Sequence, residues 1–222
     1  MTEGNHAVVN VVRVVGLGVV LAACTAFAER PYEFRARLEE VHERGVRDPA
    51  AVAAADEFAL ADGAVIAIPA DAGEVLENAA KDFVDYLLVS QGVSARVEKG
   101  GRGQVLGVRV SWDEKLEDRQ YCVEVAERHI AICSRDSRTA AQALYHLEDL
   151  MSLRRGPFLK KGTEMRRMRF RTRMAHSFWG MDLAPEKYIE RMAHYGYDAL
   201  LVYVKRVGKT KSVEAFADVN AI

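Results

Sequence analysis

Residues 121–151 read YCVEVAERHIAICSRDSRTAAQALYHLEDLM, and the fold follows from how this stretch alternates. Val123 and Val125 alternate with polar neighbours, as do Ile130 and Ile132, so two short strands flank a turn at Glu127-Arg128. Facing Val125 with Ile130 and Val123 with Ile132 puts all four side chains on one apolar face. Burial selects that register, and it sets Cys122 opposite Cys133. Opposed strand residues have Cα atoms about 4.5–5.5 Å apart, inside the range of about 4.4–6.8 Å that a disulfide spans. A bridge is feasible in an oxidising compartment; two neighbouring free thiols are the other outcome. Asp136 and Ser137 then cap a helix whose core face is Ala140, Leu144, Leu147 and Met151.

Upstream the same grammar repeats. Val65-Ile66-Ala67-Ile68 is a strand, and Asp71 with Glu74 has the spacing of a capping box. The helix it opens carries Leu76, Ala80, Phe83 and Leu87 on one side, and Gly92 ends it. Strands over Val93–Val97 and Val105–Val110 complete the order strand, helix, strands, helix. An α+β domain, a sheet packed on helices, is therefore expected over residues 64–160. Before it, residues 29–63 read as a helix and linker: Phe34, Leu38 and Val41 share a side between Pro31 and Arg44, and Asp48–Asp62 is rich in alanine.

Past Arg154-Arg155-Gly156-Pro157 the pattern changes. Met168–Met174 alternates apolar residues with arginines, the period of a strand. A loop, AHSFWGMDLA (175–184), leads to Pro185, which suits the first turn of a helix bearing Tyr188, Ile189, Met192 and Tyr195. Ala199–Val204 is continuously apolar, as a strand covered on both faces is. Strand, helix and parallel strand make a βαβ unit, expected to occupy residues 165–222.

The chemistry is bounded mainly by exclusions. A net charge of −1 and a pI near 6.6 give no electrostatic reason to bind nucleic acid or an anionic membrane. The sequence has no HExxH, GxSxG or Walker loop, and no Cys or His spacing of a zinc site, so it names no metal ligand and no cofactor. Gly101, Gly103 and Gly107 precede a strand, not a helix, and read as a turn instead of a phosphate cradle. The nine Lys and Arg between Arg154 and Arg173 read as a solvated strand face and linker, with a phosphate or carboxylate site as the other reading. The informative loop is His176-Ser177-Phe178-Trp179, just beyond the C-terminal end of a βαβ strand, where ligands sit in parallel α/β folds. Phe178 and Trp179 could stack on a pyranose while His176 and Arg173 bind its hydroxyls; the bland alternative is that the aromatics plug an interface.

Val65–Glu98, with IAIP before ENAAKDFVDYL, and Tyr121–Leu153 resemble the N-terminal domain shared by bacterial β-N-acetylhexosaminidases and α-glucuronidases. The resemblance implies that the α+β domain is followed by the first strand-helix-strand of a TIM-type (β/α)8 barrel, truncated here. Where hexosaminidases of that kind place an Asp and an Arg after the first barrel strand, this sequence has MAHSFWGMD, so N-acetylhexosamine specificity does not carry over. Glycoside hydrolysis needs a carboxyl pair, which the resemblance puts on later barrel strands. Glu186, Glu190 and Asp198 fall on the helix or just before the second strand, so no catalytic residue is named. The expectation is the non-catalytic N-terminal part of a glycoside hydrolase, or a carbohydrate-binding module, with carbohydrate and the rest of a barrel as partners. Export is expected too, the alternative being a buried apolar helix in a cytoplasmic protein. Val14–Ala28 is apolar and uncharged, within a signal segment over residues 1–28. Cleavage after Ala28 or lipidation at Cys24 are its two readings, the second giving the only membrane attachment.

Overall fold

The computed structural model describes residues 41–101, 106–177 and 186–202. Its elements are β1 (Glu57–Ala59), β2 (Ala64–Ile68), α1 (Glu74–Gln91), β3 (Ala95–Lys99), β4 (Gly107–Trp112), β5 (Gln120–Val125), β6 (Ile130–Ser134), α2 (Ser137–Arg154), β7 (Phe158–Lys160), β8 (Gly162–Arg167), β9 (Met174–Ser177), α3 (Glu186–His194) and β10 (Ala199–Val202). Six strands form one mixed sheet in the order β3-β2-β4-β6-β5-β8. β2, β3, β4 and β6 are paired in parallel, and β5 runs antiparallel to both β6 and β8.

The core lies between this sheet and the helix pair α1–α2. Leu76, Ala80, Phe83 and Leu87 from α1 meet Ala140, Leu144, Leu147 and Met151 from α2, and every one of them is buried. Ile66, Val108, Ile130 and Ile132 complete the layer from the sheet side. Burying a side chain of this size stabilises the fold by roughly 1.5–3 kcal/mol, so the two apolar helix faces dominate the driving force.

The helix ends differ in how well local spacing foretells them. Asp136 accepts from the Thr139 backbone amide at 2.8 Å and caps α2 as expected. Gly92, at φ 65°, ends α1 in the left-handed conformation. Asp71, however, is not the cap of α1. Gly73 occupies that position, and the Asp71 carboxylate instead accepts the Trp112 indole N–H at 2.8 Å, tying the α1 entry to the end of β4.

Two further expectations shift. Glu57–Ala59, inside the stretch read as helix and linker, is β1 and pairs antiparallel with β7. The strand expected over Met168–Met174 is not there. Gly162–Arg167 forms β8 on the edge of the main sheet, so that sheet extends past residue 160, and the next strand begins only at Met174. β8 is exposed at all six positions, so no buried alternation marks it out from the arginine-rich run that follows. Beyond it, β9 and β10 pair in parallel, Met174 opposite Ala199 through Ser177 opposite Val202, with α3 between them. Residues 1–40, which hold Cys24 and the apolar segment 14–28, lie outside the described residues, as do most of Pro31–Arg44 and residues 203–222. Among the described residues no helix is long and apolar enough to cross a membrane.

The β5–β6 register is the one that burial selects: Val125 opposite Ile130, Val123 opposite Ile132 and Cys122 opposite Cys133. The two cysteines are unbridged. Burial, and then the neighbouring Cys133, push the Cys122 thiol above its ordinary range, so it is a poor nucleophile at neutral pH. Thiol titration of a Cys24→Ser variant, unfolded without reductant, is expected to find both remaining thiols free. Native protein should alkylate slowly. A titre of zero would show that they oxidise to a bridge.

Candidate functional site

A cavity of about 490 Å3 opens where α2, β8 and the turn after α3 converge. Each wall arrives from a different stretch of chain. β5 contributes Tyr121, α2 contributes Tyr145 and His146, β8 contributes Arg166, Arg173 comes from just before β9, and the end of α3 and the turn after it supply His194 and Tyr197. Tyr121 is nearly buried, whereas Tyr195 at the rim is 58% exposed.

Arg173 is the best-held cation of this lining. Its Nη1 donates to the Tyr195 carbonyl at 2.7 Å, and its guanidinium lies 4.8 Å from the centroid of the Tyr197 ring. Its backbone amide donates to Asp198 Oδ2 at 2.9 Å, while Arg138 pairs with the other Asp198 oxygen. The approach to β9 is thereby fastened both to α2 and to the start of β10. Arg166 Nη1 lies 2.7 Å from His146 Nε2. Burial pushes the Tyr121 hydroxyl up to about 12 and Tyr145 higher still, so both stay protonated and can donate hydrogen bonds.

Of the residues singled out for sugar binding, Arg173 therefore lines a cavity. His176 places its backbone in β9 opposite Leu201, but its side chain, with Phe178 and Trp179, lies outside the described residues. The tyrosines that do line the cavity come from three separate segments, β5, α2 and the turn after α3. Sequence reading missed them because no local motif joins residues so far apart.

A half-buried polar cluster adjoins the cavity through His194. His194, at the C-terminal end of α3, has Nδ1 2.9 Å from Glu148 Oε2 of α2 and Nε2 against Asp82 Oδ2 of α1. His42 Nε2 lies 2.9 Å from Asp82 Oδ1, and the Tyr145 ring covers His194 with centroids 4.3 Å apart. Burial alone would push the Asp82 carboxyl up, but His194 and His42 together outweigh it and hold the group at about 2. Burial would likewise lower His194, yet Asp82 and Glu148 raise it to about 10. Glu148 goes the other way, since burial lifts it to about 7 against the pull of His194. Two carboxyls pushed apart in this manner are what a glycosidase acid and nucleophile need. Here the imidazole stands between them with one nitrogen toward each, which leaves no place for a glycosidic oxygen.

No protein-family model matches the sequence, and no curated protein matches it. Solved structures do share the fold. A Streptomyces plicatus β-hexosaminidase in complex with its product GlcNAc is 20% identical with a TM-score of 0.52. The GH20 β-N-acetylhexosaminidase of Streptomyces coelicolor A3(2) is 19% identical with a TM-score of 0.54. Each match covers 66% of this chain and 31% of the enzyme. A family GH115 4-O-methyl-α-glucuronidase with specificity for decorated arabinogalactans is 10% identical with a TM-score of 0.51, over 65% of this chain and 25% of that one. The described chain thus spans less than a third of the enzymes it matches. At these identities the likeness is one of fold: a mixed α/β domain with a six-stranded mixed sheet, of the kind glycoside hydrolases carry.

Proposed function

We propose that this chain is the non-catalytic N-terminal part of a glycoside hydrolase acting on O-glycosyl bonds, and that it holds carbohydrate in the cavity between its sheet domain and its βαβ unit. The observation that carries this reading is the lining itself: Tyr121, Tyr145 and Tyr197 beside Arg166 and Arg173. Tyrosine rings offer apolar faces to a pyranose and hydroxyls to its edges. Guanidinium forks match a carboxylate, so an acidic sugar such as a uronide fits this lining better than a neutral one. The likeness to a GH115 α-glucuronidase points the same way. The βαβ unit β9-α3-β10 is read as the start of the barrel, and the apolar segment 14–28 as the means of export toward extracellular glycans.

Isothermal titration of the protein with glucuronic acid and with N-acetylglucosamine tests the proposal. Saturable binding of the uronide is expected, with the neutral sugar weaker. Arg173→Ala should weaken the uronide by about tenfold or more, because a hydrogen bond to a charged group is worth about 1.5–3 kcal/mol. Aryl glycosides should not turn over. Equal or absent binding of both sugars would sink the substrate class, and turnover abolished by a substitution among the described residues would sink the non-catalytic role.

A further inference from the structure

We infer that His42, Asp82 and His194 form a binding site for a divalent transition-metal ion, zinc in the first instance, with Glu148 as the carboxylate that orients His194. The nitrogen and oxygen donors of the first three residues all lie within 4.8 Å of one another. They come from the segment before β1, from α1 and from the end of α3, and the site is half-buried. Two imidazoles and one carboxylate are the donor set of many three-ligand zinc centres, which leave a fourth position for water or substrate.

Three observations favour a cation over an ion-pair clamp alone. Asp82 Oδ2 and His194 Nε2 converge as a carboxylate–imidazole pair, and both atoms are buried. A dication entering here would take the place of the proton on His194 Nε2 and open this pair, since a metal ligand must be deprotonated. Next, His194 turns its other nitrogen, Nδ1, to Glu148 Oε2 at 2.9 Å. A metal-bound histidine commonly donates its second N–H to a carboxylate in this way, which fixes the tautomer and strengthens the ligand. Finally, the Glu148 side chain is only 6% exposed, and its Oε1 has no partner among the described residues. A cation beside this carboxylate would offset the cost of burying its unpartnered oxygen. Imidazole and carboxylate without thiolate suit zinc, and copper or nickel by affinity order, better than calcium or magnesium.

The site stands independently of the sugar-binding proposal. The experiment uses the full chain, stripped with chelator and titrated with zinc chloride at neutral pH by calorimetry, with cobalt as a spectroscopic substitute. About one zinc per chain is expected, with a rise in melting temperature and visible d–d absorption from cobalt. Asp82→Asn and His42→Ala should each lower zinc affinity at least tenfold with the far-UV circular dichroism unchanged, and Glu148→Gln by about 10–100-fold. If either ligand variant fails to fold, cobalt absorption by the wild type, quenched by zinc, decides the matter. Folded wild type that takes up no zinc, or variants that bind it as well as the wild type, would overturn the assignment.

Discussion

Gly107→Ala is expected to remove about 4 kcal/mol from the stability of the sheet domain, among the most severe single substitutions available. Gly107 opens β4 at φ 150°, opposite Val65 in the parallel β2–β4 pair. A Cβ built there would lie 2.3 Å from the Val65 carbonyl oxygen and 2.8 Å from its nitrogen. The backbone strain alone costs about 1–3 kcal/mol. The clash adds to it, because the atoms that must give way belong to a central strand and not to a flexible side chain. Gly63→Ala separates the two effects. Its φ is 81°, and nothing lies within 4 Å of the added carbon, so it should show the strain without the clash. Urea unfolding of both variants gives the comparison. The Gly107 variant should lose most of the margin of a domain worth about 5–15 kcal/mol, with a much lower urea midpoint than the Gly63 variant. Equal losses would mean that β2 and β4 are less closely apposed than described.

Gly107 also illustrates what the sequence could and could not disclose. Its place in a strand was legible, since it falls within the run Val105–Val110, and it is the first residue of β4. The reason it must be glycine was not, because that reason is the backbone of β2. The same boundary runs through the rest of the fold. Helix faces such as Leu76-Ala80-Phe83-Leu87 were legible because one side is buried and its period is local. The β5–β6 register was legible because a slip of one residue would turn Val123 and Ile132 outward. Asp71 satisfies the capping-box spacing but is drawn to the Trp112 indole of β4, a partner outside any local window. β8 escaped notice for the opposite reason. With all six residues exposed, its alternation carries no burial signal, and the arginines of residues 166–173 continue the same pattern past its end.

The site was less legible than the fold. Arg173, expected near the C-terminal end of a strand over Met168–Met174, instead stands just before the N-terminal end of β9 and lines the cavity from there. Tyr121, Tyr145 and Tyr197 were not legible, since each looks like an ordinary core or surface residue within its own element. His42, Asp82 and His194 likewise carry no metal-ligand spacing, and only the stacking of the end of α3 on α1 and α2, with the segment before β1 laid against α1, assembles them.

That stacking yields the second large effect. His194→Ala, measured with chelator present, is expected to cost about 3–5 kcal/mol, the range for removing one partner of a buried ion pair. The imidazole touches carboxylates on two helices, so its loss leaves Asp82 and Glu148 facing each other, with Glu148 only 6% exposed at its side chain. The Tyr145 ring loses its neighbour as well. The damage should concentrate in α3. Besides His194, its end is held by Gln142 donating to the Ala193 carbonyl at 3.2 Å, with Arg138 on Asp198 just beyond. The α1–α2 core does not depend on either contact, so the helix can open locally while the sheet domain persists. Hydrogen exchange should therefore accelerate in residues 189–195 by two orders of magnitude or more, with Phe83 and Leu144 amides little changed. Glu148→Gln keeps a hydrogen-bond acceptor and removes one of the two facing charges, so it should loosen α3 less than His194→Ala does. Exchange in α3 that is indifferent to both substitutions would show that the helix is held by its apolar side alone. The cluster would then be a passenger of the packing and not its fastening.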